Sequence, residues 1–249
     1  MAALVRRRPS SPRPTDGYTF LYGDLNTIIL TRAFDARIGY DPIKDLVPVV
    51  QLGVASYCVV ISSTSDAKSV KHLVEQSRTK GAPLRFASPF SGSTSHLYAE
   101  MLTRAAGVQM IHLPQKGSAL QALSTIRENR ADVMFDKCGL PGRAEGFFVS
   151  LAATGKERSQ DYPNIPTLGE EGYPIDLYEW IGIFAPAGTA KEIVERMATE
   201  SSKIVSSSEE RGFFRTAGVV VTGVKSDSFL EIIKHDAPRW AEVIRVSGA

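Results

Sequence analysis

Short apolar segments alternate with amphipathic ones along most of the chain. The apolar segments are rich in β-branched and aromatic side chains and are bounded by glycine, proline or serine, which is typical of buried strands. Between them apolar residues recur at helical spacing, as Val70, Leu73 and Val74 do before Gly81. Because strands joined through helices of about ten residues favour parallel βαβ units over hairpins, the pattern predicts an α/β fold.

The same pattern sets bounds for the individual elements. We predict strands at 18–23, 55–62, 84–88, 108–114, 131–136, 148–155, from 180, and at 219–223. We predict helices at 65–81, 96–106, 118–129, 190–206, 209–217 and from 227. Residues 40–53 have a proline near each end, which limits any helix there to a turn or two. The proline-rich residues 161–180 predict an irregular segment, and Pro238 is expected to kink or interrupt the final helix.

Composition and charge narrow the class of protein. The 249 residues are 43% hydrophobic, and 29 basic against 27 acidic residues give a formal charge of +2. This balance does not indicate a nucleic-acid partner, which would require basic residues gathered on one face. The one basic cluster, Arg6–Arg8 with Arg13, lies in a proline- and serine-rich stretch that predicts a loosely ordered end. A localisation signal or nucleic-acid tail there is the less favoured alternative.

Few residues suggest covalent or metal chemistry. Cys58 and Cys138 lack a CxxC partner and could pair or stay free. His72, His112 and His235 are scattered without an apparent carboxylate partner, so each is more typical of a surface or core position than of catalysis. We therefore expect no enzyme activity, no metal and no cofactor. No apolar run reaches the length of a membrane span, so the chain is not expected to insert into a membrane.

Residues 86–100, "FASPFSGSTSHLYAE", predict a strand, a loop of small residues and the start of a helix. Such a turn directs first-turn N–H groups and the positive end of the helix dipole towards the carboxyl end of the strand, where an anion can bind. Gly92 permits close approach of the backbone, and the neighbouring hydroxyls supply further donors. The alternative is that Ser93 or Thr94 simply caps the helix.

A second turn of this kind follows the next predicted strand, at Pro114–Ser118. Two such turns at the carboxyl ends of adjacent parallel strands converge on one crevice, which favours an anion site over simple capping. The loop at 91–96 lacks the lysine of a Walker-type phosphate loop. Ser95 and His96 are neighbours on a helix and cannot share a proton, which argues against a hydrolase.

Seven motifs together resemble the periplasmic substrate-binding proteins of tripartite tricarboxylate transporters, the Bug-type family. They occur in order as "DGYTFLYG", "YDPIKDLVPV", "FASPFSGSTSHLYAEML", "IHLPQKGSALQAL", "ADVMFD", "LAATGKERSQDYPNIPTLGEEGYP" and "WIGIFAPAGT". The resemblance implies a two-lobed, type II periplasmic-binding-protein-like α/β fold with mostly parallel sheets flanked by helices. It implies that a small carboxylate (an amino acid, a di- or a tricarboxylate) is held in an interlobe cleft by a monomer and delivered to membrane transporter subunits. It also implies a periplasmic location, although the chain has no recognisable signal peptide.

The resemblance also assigns ligand-binding residues, which fall in loops after strands. In the second lobe they correspond to the loop at Ala87–His96, the turn at Pro114–Ser118 and the strand end at Phe135 and Asp136. In the first lobe they lie in the loop at Asp24–Thr27. The predicted ligand-binding residues are Asp24, Asn26, Thr27, Ser88, Gly92, Ser93, Thr94, Ser95, His96, Gln115, Lys116, Gly117 and Asp136. Backbone N–H groups and hydroxyls would hold the carboxylate, directly or through water.

The chain departs from the family pattern at three internal positions and at its start. Phe90 stands where a small residue is usual, Gln115 where tyrosine is usual, and Lys137 where asparagine is usual. We expect Phe90 to crowd the crevice and Lys137 either to add a charge or to face solvent. Measured against the family, we expect the chain to start inside the helix before "DGYT", with an N-terminally truncated first lobe and weakened binding.

The predicted lobes are discontinuous in sequence. Lobe one holds residues 1–58 and 183–249, lobe two holds 59–182, and the two crossings form a hinge. A ligand-sensing module or a decayed, non-transporting paralogue with the same fold are the alternatives to a transport receptor. No helix-turn-helix pattern precedes "DGYT", which argues against a transcriptional regulator.

Overall fold

The computed structural model describes residues 14–34, 39–115, 117–139 and 146–247. Within these ranges the strands, in chain order, are β1 (Leu21–Asp24), β2 (Leu46–Ala55), β3 (Tyr57–Ser62), β4 (Leu84–Ser88), β5 (Met110–Pro114), β6 (Val133–Lys137), β7 (Phe148–Ala153), β8 (Glu179–Pro186) and β9 (Val220–Lys225). The helices are a π-helical turn at Asn26–Leu30, α1 (Thr31–Phe34), α2 (Val70–Lys80), α3 (Thr94–Ala106), α4 (Ala119–Arg127), α5 (Lys191–Val205), α6 (Ser208–Thr216) and α7 (Ser226–Ser247).

The contacts divide the chain into two compact units. The first unit contains the described residues up to Val54, Glu179–Arg215 and Val220–Val246. The second contains the described residues of Ala55–Tyr178 together with Thr216–Val219. Each unit has its own sheet, so each can be described separately.

The first unit is built on a four-stranded sheet with the order β1-β8-β2-β9. β1 pairs antiparallel with β8, and β2 pairs antiparallel with β9. Trp180 and Phe184 of β8 pack on Phe229 of α7, with the Trp180 and Phe229 ring centroids 5.2 Å apart. Gly182 permits this packing, because a Cβ there would lie 2.4 Å from the Phe229 ring.

Three predictions, for β2, β3 and α7, are corrected. Residues 46–55 form β2, a strand rather than a turn or two of helix, and the predicted strand at 55–62 starts only at Tyr57. The register of β2 with β9 starts after Pro48, at Val50, so the missing N–H of Pro48 removes no bond to β9. A helical segment at 26–34 was not predicted. Finally, α7 continues through Pro238 without interruption, because the helix has buried residues both before the proline (Ile233) and after it (Trp240).

The second unit is built on a five-stranded sheet with the order β5-β4-β6-β3-β7. β4 pairs in parallel with β5 and β6, whereas β3 pairs antiparallel with β6 and β7. The α/β class is therefore confirmed, but the expectation of mostly parallel sheets is wrong. The parallel βαβ arrangement holds for β4, α3, β5, α4 and β6, and it places the carboxyl ends of these three strands at one edge.

A disulfide lies in the core of the second unit. Cys58 of β3 and Cys138, which follows β6, are joined, and both are buried at 0% and 2% exposure. Ala87 of β4 and Ala122 of α4 belong to the same apolar cluster. The pairing left open by the sequence is thus resolved, and it closes a loop with a sequence separation of 80 residues beneath the β4–β6 edge.

Candidate ligand-binding site

The loop between β4 and α3 has the backbone geometry of an anion cradle. Gly92 adopts a left-handed conformation with φ of 82°, which side-chain-bearing residues rarely adopt. Ser93 then caps α3, and its Oγ accepts a hydrogen bond from the His96 N–H at 3.2 Å. Ser93, Thr94 and Ser95 are all at least 95% buried. The loop therefore presents the start of a 13-residue helix, with its positive dipole end, at the edge of the sheet.

The hydroxyls of this loop have different roles. Ser95 Oγ donates to the Phe135 carbonyl of β6 at 2.5 Å, so its proton ties α3 to the sheet. Ser88 Oγ donates to the Phe90 carbonyl at 3.1 Å. Ser93 Oγ acts as an acceptor in the cap and keeps its own proton for a further acceptor. Ser93 is consequently the hydroxyl of these three that best suits a ligand, whereas Ser88 and Ser95 shape the loop.

The two predicted turns meet, as the sequence analysis expected. The Gln115 N–H donates to the Ser88 carbonyl at 2.8 Å, and the Gly117 N–H donates to the Pro89 carbonyl at 3.4 Å. The Gln115 side chain donates to the Leu113 carbonyl, within its own turn. Lys116, the remaining predicted residue of this turn, lies outside the described residues.

Two histidines stack beneath the loop. The rings of His96 on α3 and His112 on β5 lie 4.0 Å apart, centroid to centroid, and the Phe86 ring of β4 lies 4.6 Å from His112 and 5.8 Å from His96. His96 Nδ1 accepts a hydrogen bond from the Gly92 N–H at 3.0 Å, and His112 Nε2 lies 2.7 Å from Ser88 Oγ. Burial, and next the neighbouring His96, lower the pKa of His112 to about 4.

Sequence reasoning missed the contribution of His112. It treated this histidine as an isolated core or surface residue. The signal that could have found it is the strand register, because Phe86 and His112 are direct partners in the parallel β4–β5 pair. The ligand role predicted for His96 stays a prediction; in the structure its ring contacts the loop backbone at Gly92 and also Glu100, whose Oε1 lies 3.6 Å from Nε2.

The end of β6 contributes a buried carboxyl group. Asp136 is 6% exposed, and its Oδ1 accepts the Lys137 N–H at 2.7 Å. Phe90 is 41% exposed, and the expectation that it crowds the crevice stays a prediction. Lys137 is partly buried at the end of the strand. The position of Asp136 beside the two turns follows from the parallel pairing of β4 and β6.

The predicted residues of the first unit are arranged differently. Asp24 Oδ1 accepts hydrogen bonds from the N–H and the hydroxyl of Thr27, at 2.8 and 2.6 Å. Asn26 donates from Nδ2 to Glu179 at 3.0 Å, and the Thr27 carbonyl accepts from the Tyr40 hydroxyl. These groups thus bind one another at the start of the helical segment that follows β1.

A separate groove of about 710 Å³ lies in the second unit. It is lined by residues at the amino-terminal ends of β4, β5 and β6, among them Arg85, Ile111 and Asp132. Arg85 and Asp132 are joined in an ion pair at 2.7 Å. Because the two turns lie at the opposite, carboxyl ends of these strands, the groove is distinct from the candidate site.

The described parts of the chain contain no group of three or more metal-ligating side chains. Within the same ranges, every helix is too short or too polar to cross a membrane.

Comparisons with known proteins support the family resemblance found in the sequence. The family model described as the tripartite tricarboxylate transporter family receptor matches residues 9–248. A UPF0065 protein encoded in the tcbD–tcbE intergenic region of Pseudomonas sp. strain P51 is 27% identical over 237 residues, covering 93% of this chain and 69% of the relative. Protein BugT of Bordetella pertussis is 26% identical, covering 94% of this chain and 73% of BugT.

Solved structures agree with this assignment. An adipate-bound protein of R. palustris superimposes with a TM-score of 0.84 at 28% identity, covering 94% of this chain and 79% of that protein. MatC of Rhodopseudomonas palustris, solved with malate, has a TM-score of 0.77 at 24% identity, with coverages of 93% and 80%, and supports the fold alone.

The family consists of periplasmic substrate-binding receptors, not enzymes, which agrees with a site made of backbone donors and hydroxyls. The resemblance found in the sequence motifs is confirmed, and the chain belongs to the tripartite tricarboxylate transporter receptor family.

Proposed function

We propose that this chain captures a small carboxylate at the β4–α3 loop of the second unit and delivers it to the membrane subunits of a tripartite tricarboxylate-type transporter. One observation carries the proposal. Gly92 in its left-handed conformation leads into a buried helix start with the hydroxyls of Ser93 and Thr94, the arrangement that binds an anion without a cationic side chain. Neutral donors also suit a receptor that must release its ligand.

An aliphatic dicarboxylate is the ligand class we propose. Of the two ligand-bound structures, the one with the higher identity to this chain contains adipate, a flexible chain with a carboxylate at each end. One carboxylate would bind the first turn of α3, and the adjoining turn at Gln115–Gly117 would contact the ligand beside it. The hydrogen bonds between the two turns support this, because they fix both backbones at one place.

We further propose that the protein works in the periplasm. The disulfide between Cys58 and Cys138 supports this location, because such bonds persist in oxidising compartments and are rare in the cytosol. Both sulfurs are buried in the core, as expected for a structural rather than a catalytic disulfide.

Thermal unfolding with a panel of acids tests the proposal. The protein is unfolded, freed of any co-purified ligand and refolded under oxidising conditions, then mixed with adipate, succinate, malate, glutamate or citrate. A ligand at about 100 times its Kd should stabilise the protein by about 2.7 kcal/mol. For a chain of this size, that corresponds to a rise in Tm of roughly 5–10 °C.

A matched pair of variants locates the binding. Thr94→Val removes a hydroxyl at the start of α3, and Thr103→Val removes one near the end of the same helix, where Oγ1 donates to the Ala99 carbonyl. We expect the first variant to weaken binding about tenfold and the second to leave it unchanged. Failure of every acid to raise the Tm of the wild type would refute carboxylate capture and favour a non-binding paralogue.

A further inference from the structure

The histidine pair beneath the β4–α3 loop contacts the loop at both ends. His96 reaches the loop at Gly92, through its Nδ1. His112 reaches it at Ser88, through its Nε2. The two rings are stacked nearly parallel, with an angle of 13° between their planes. A movement of either ring would therefore displace the other and the loop backbone between residues 88 and 92.

The hydrogen bond at Gly92 determines the protonation state of His96. An N–H group can donate only to a ring nitrogen that carries no proton, so Nδ1 must be bare. The single ring proton then sits on Nε2, which faces Glu100 Oε1 at 3.6 Å. The other neutral tautomer, with its proton on Nδ1, would place two donors against each other and release Gly92.

The contacts of Ser88 determine the state of His112 in the same way. The one proton of the Ser88 hydroxyl is donated to the Phe90 carbonyl. Ser88 Oγ must then accept from His112, whose proton therefore sits on Nε2. With a pKa of about 4, His112 stays neutral in this arrangement at neutral and mildly acidic pH.

We propose that His96 and His112 are positioning residues, which hold the backbone of residues 88–92 in its ligand-binding conformation without contacting the ligand. His96 performs this role through Nδ1, which accepts the Gly92 N–H. The inference rests on the proposed function in one respect, that this loop binds the carboxylate. It differs from the role implied by the family resemblance, in which His96 belongs to the ligand-contacting set.

The groups around His96 hold its ring in this orientation. Glu100 faces Nε2 from the same helix, and the His112 ring of β5 stacks on the His96 ring. Nδ1 is thereby kept directed at the Gly92 N–H.

Three variants of the full chain test the role of His96. His96→Asn keeps an acceptor, because Asn Oδ1 is attached to Cγ as Nδ1 is. His96→Leu removes the acceptor and substitutes an apolar side chain of similar size. His235→Asn is the control, since this histidine is exposed on α7 and lies beside Asp236. Adipate binding is measured by calorimetry at pH 7.5, and exchange of the Gly92 amide is measured without ligand.

We expect His96→Leu to bind adipate about tenfold more weakly at pH 7.5 and to exchange its Gly92 amide faster, since one buried acceptor is lost. His96→Asn should bind like the wild type, because it keeps an acceptor for the Gly92 N–H. A ligand contact through the ring would instead weaken both variants alike. That result, or wild-type behaviour of His96→Leu in both assays, overturns the proposal.

The amide exchange separates this inference from the proposed function. If the wild type fails to bind adipate, the function is refuted for that ligand, yet the Gly92 exchange rates of the variants still decide whether His96 positions the loop. Unchanged exchange in His96→Leu would overturn the inference even if adipate binds.

Discussion

The two predicted ligand loops both join a strand to a helical segment, but they satisfy their helix starts in opposite ways. In the first unit, Asp24 places its own carboxylate on the N–H and the hydroxyl of Thr27. In the second unit, Ser93 caps the helix with a neutral hydroxyl, and a left-handed glycine precedes it. A fixed internal anion thus occupies one helix start, and the other keeps its positive end available to an external anion.

This difference shows why a strand-to-helix loop alone does not identify a ligand site. Both loops have polar residues, and both were assigned to the ligand from the family resemblance. The charge of the capping group distinguishes the two loops, because an aspartate at the cap repels a carboxylate ligand, whereas a serine can donate a hydrogen bond to it. The following predictions examine that contrast.

The largest effect is expected from removing the disulfide under the second loop. A double Cys58→Ala, Cys138→Ala variant should lose about 2–4 kcal/mol of unfolding free energy, as expected for a cross-link that closes a long loop. Chemical denaturation measures this loss, and wild type refolded in reductant serves as the control. Native-state hydrogen exchange should quicken in β3 and β6 and stay unchanged in β8. Equal acceleration of hydrogen exchange in both units would contradict the expectation that only the second unit is destabilised.

The second effect concerns the backbone of the cradle. Gly92→Ala forces a side chain into the left-handed region, and we expect adipate affinity to fall at least about tenfold as the loop rearranges. Gly81→Ala is the matched control, because Gly81 ends α2 with φ of 62° and has open space around its Cβ position. Both variants should lose about 1 kcal/mol of stability. Loss of affinity in both, or in neither, would argue against a special role for Gly92.

Local patterns in the sequence were sufficient to predict the β4–α3 loop. They were not sufficient to predict β2 or the histidine pair beneath that loop. A strand, small polar residues and an amphipathic helix follow one another in 84–106, so the loop and its helix could be predicted directly. β2 was missed because its pairing with β9 joins Gln51 to Val224, far apart in sequence, and Pro48 argues locally against a strand. The histidine pair was missed for the same reason, since its two members meet only through the β4–β5 register and the packing of α3.

The smallest effect is expected at the first loop, and it tests the contrast directly. Asp24→Ala removes the internal anion and should lower the unfolding free energy by about 1 kcal/mol, as loss of a helix cap does. Asp24→Asn keeps an acceptor for the Thr27 N–H and should cost less. Asp16→Ala is the control, because its carboxylate also accepts a backbone N–H, that of Tyr18, but at an exposed position. Since Asp24 is committed to Thr27, we expect adipate affinity to change less in Asp24→Ala than in Thr94→Val. A larger loss would instead make Asp24 part of the carboxylate site and remove the distinction between the two loops.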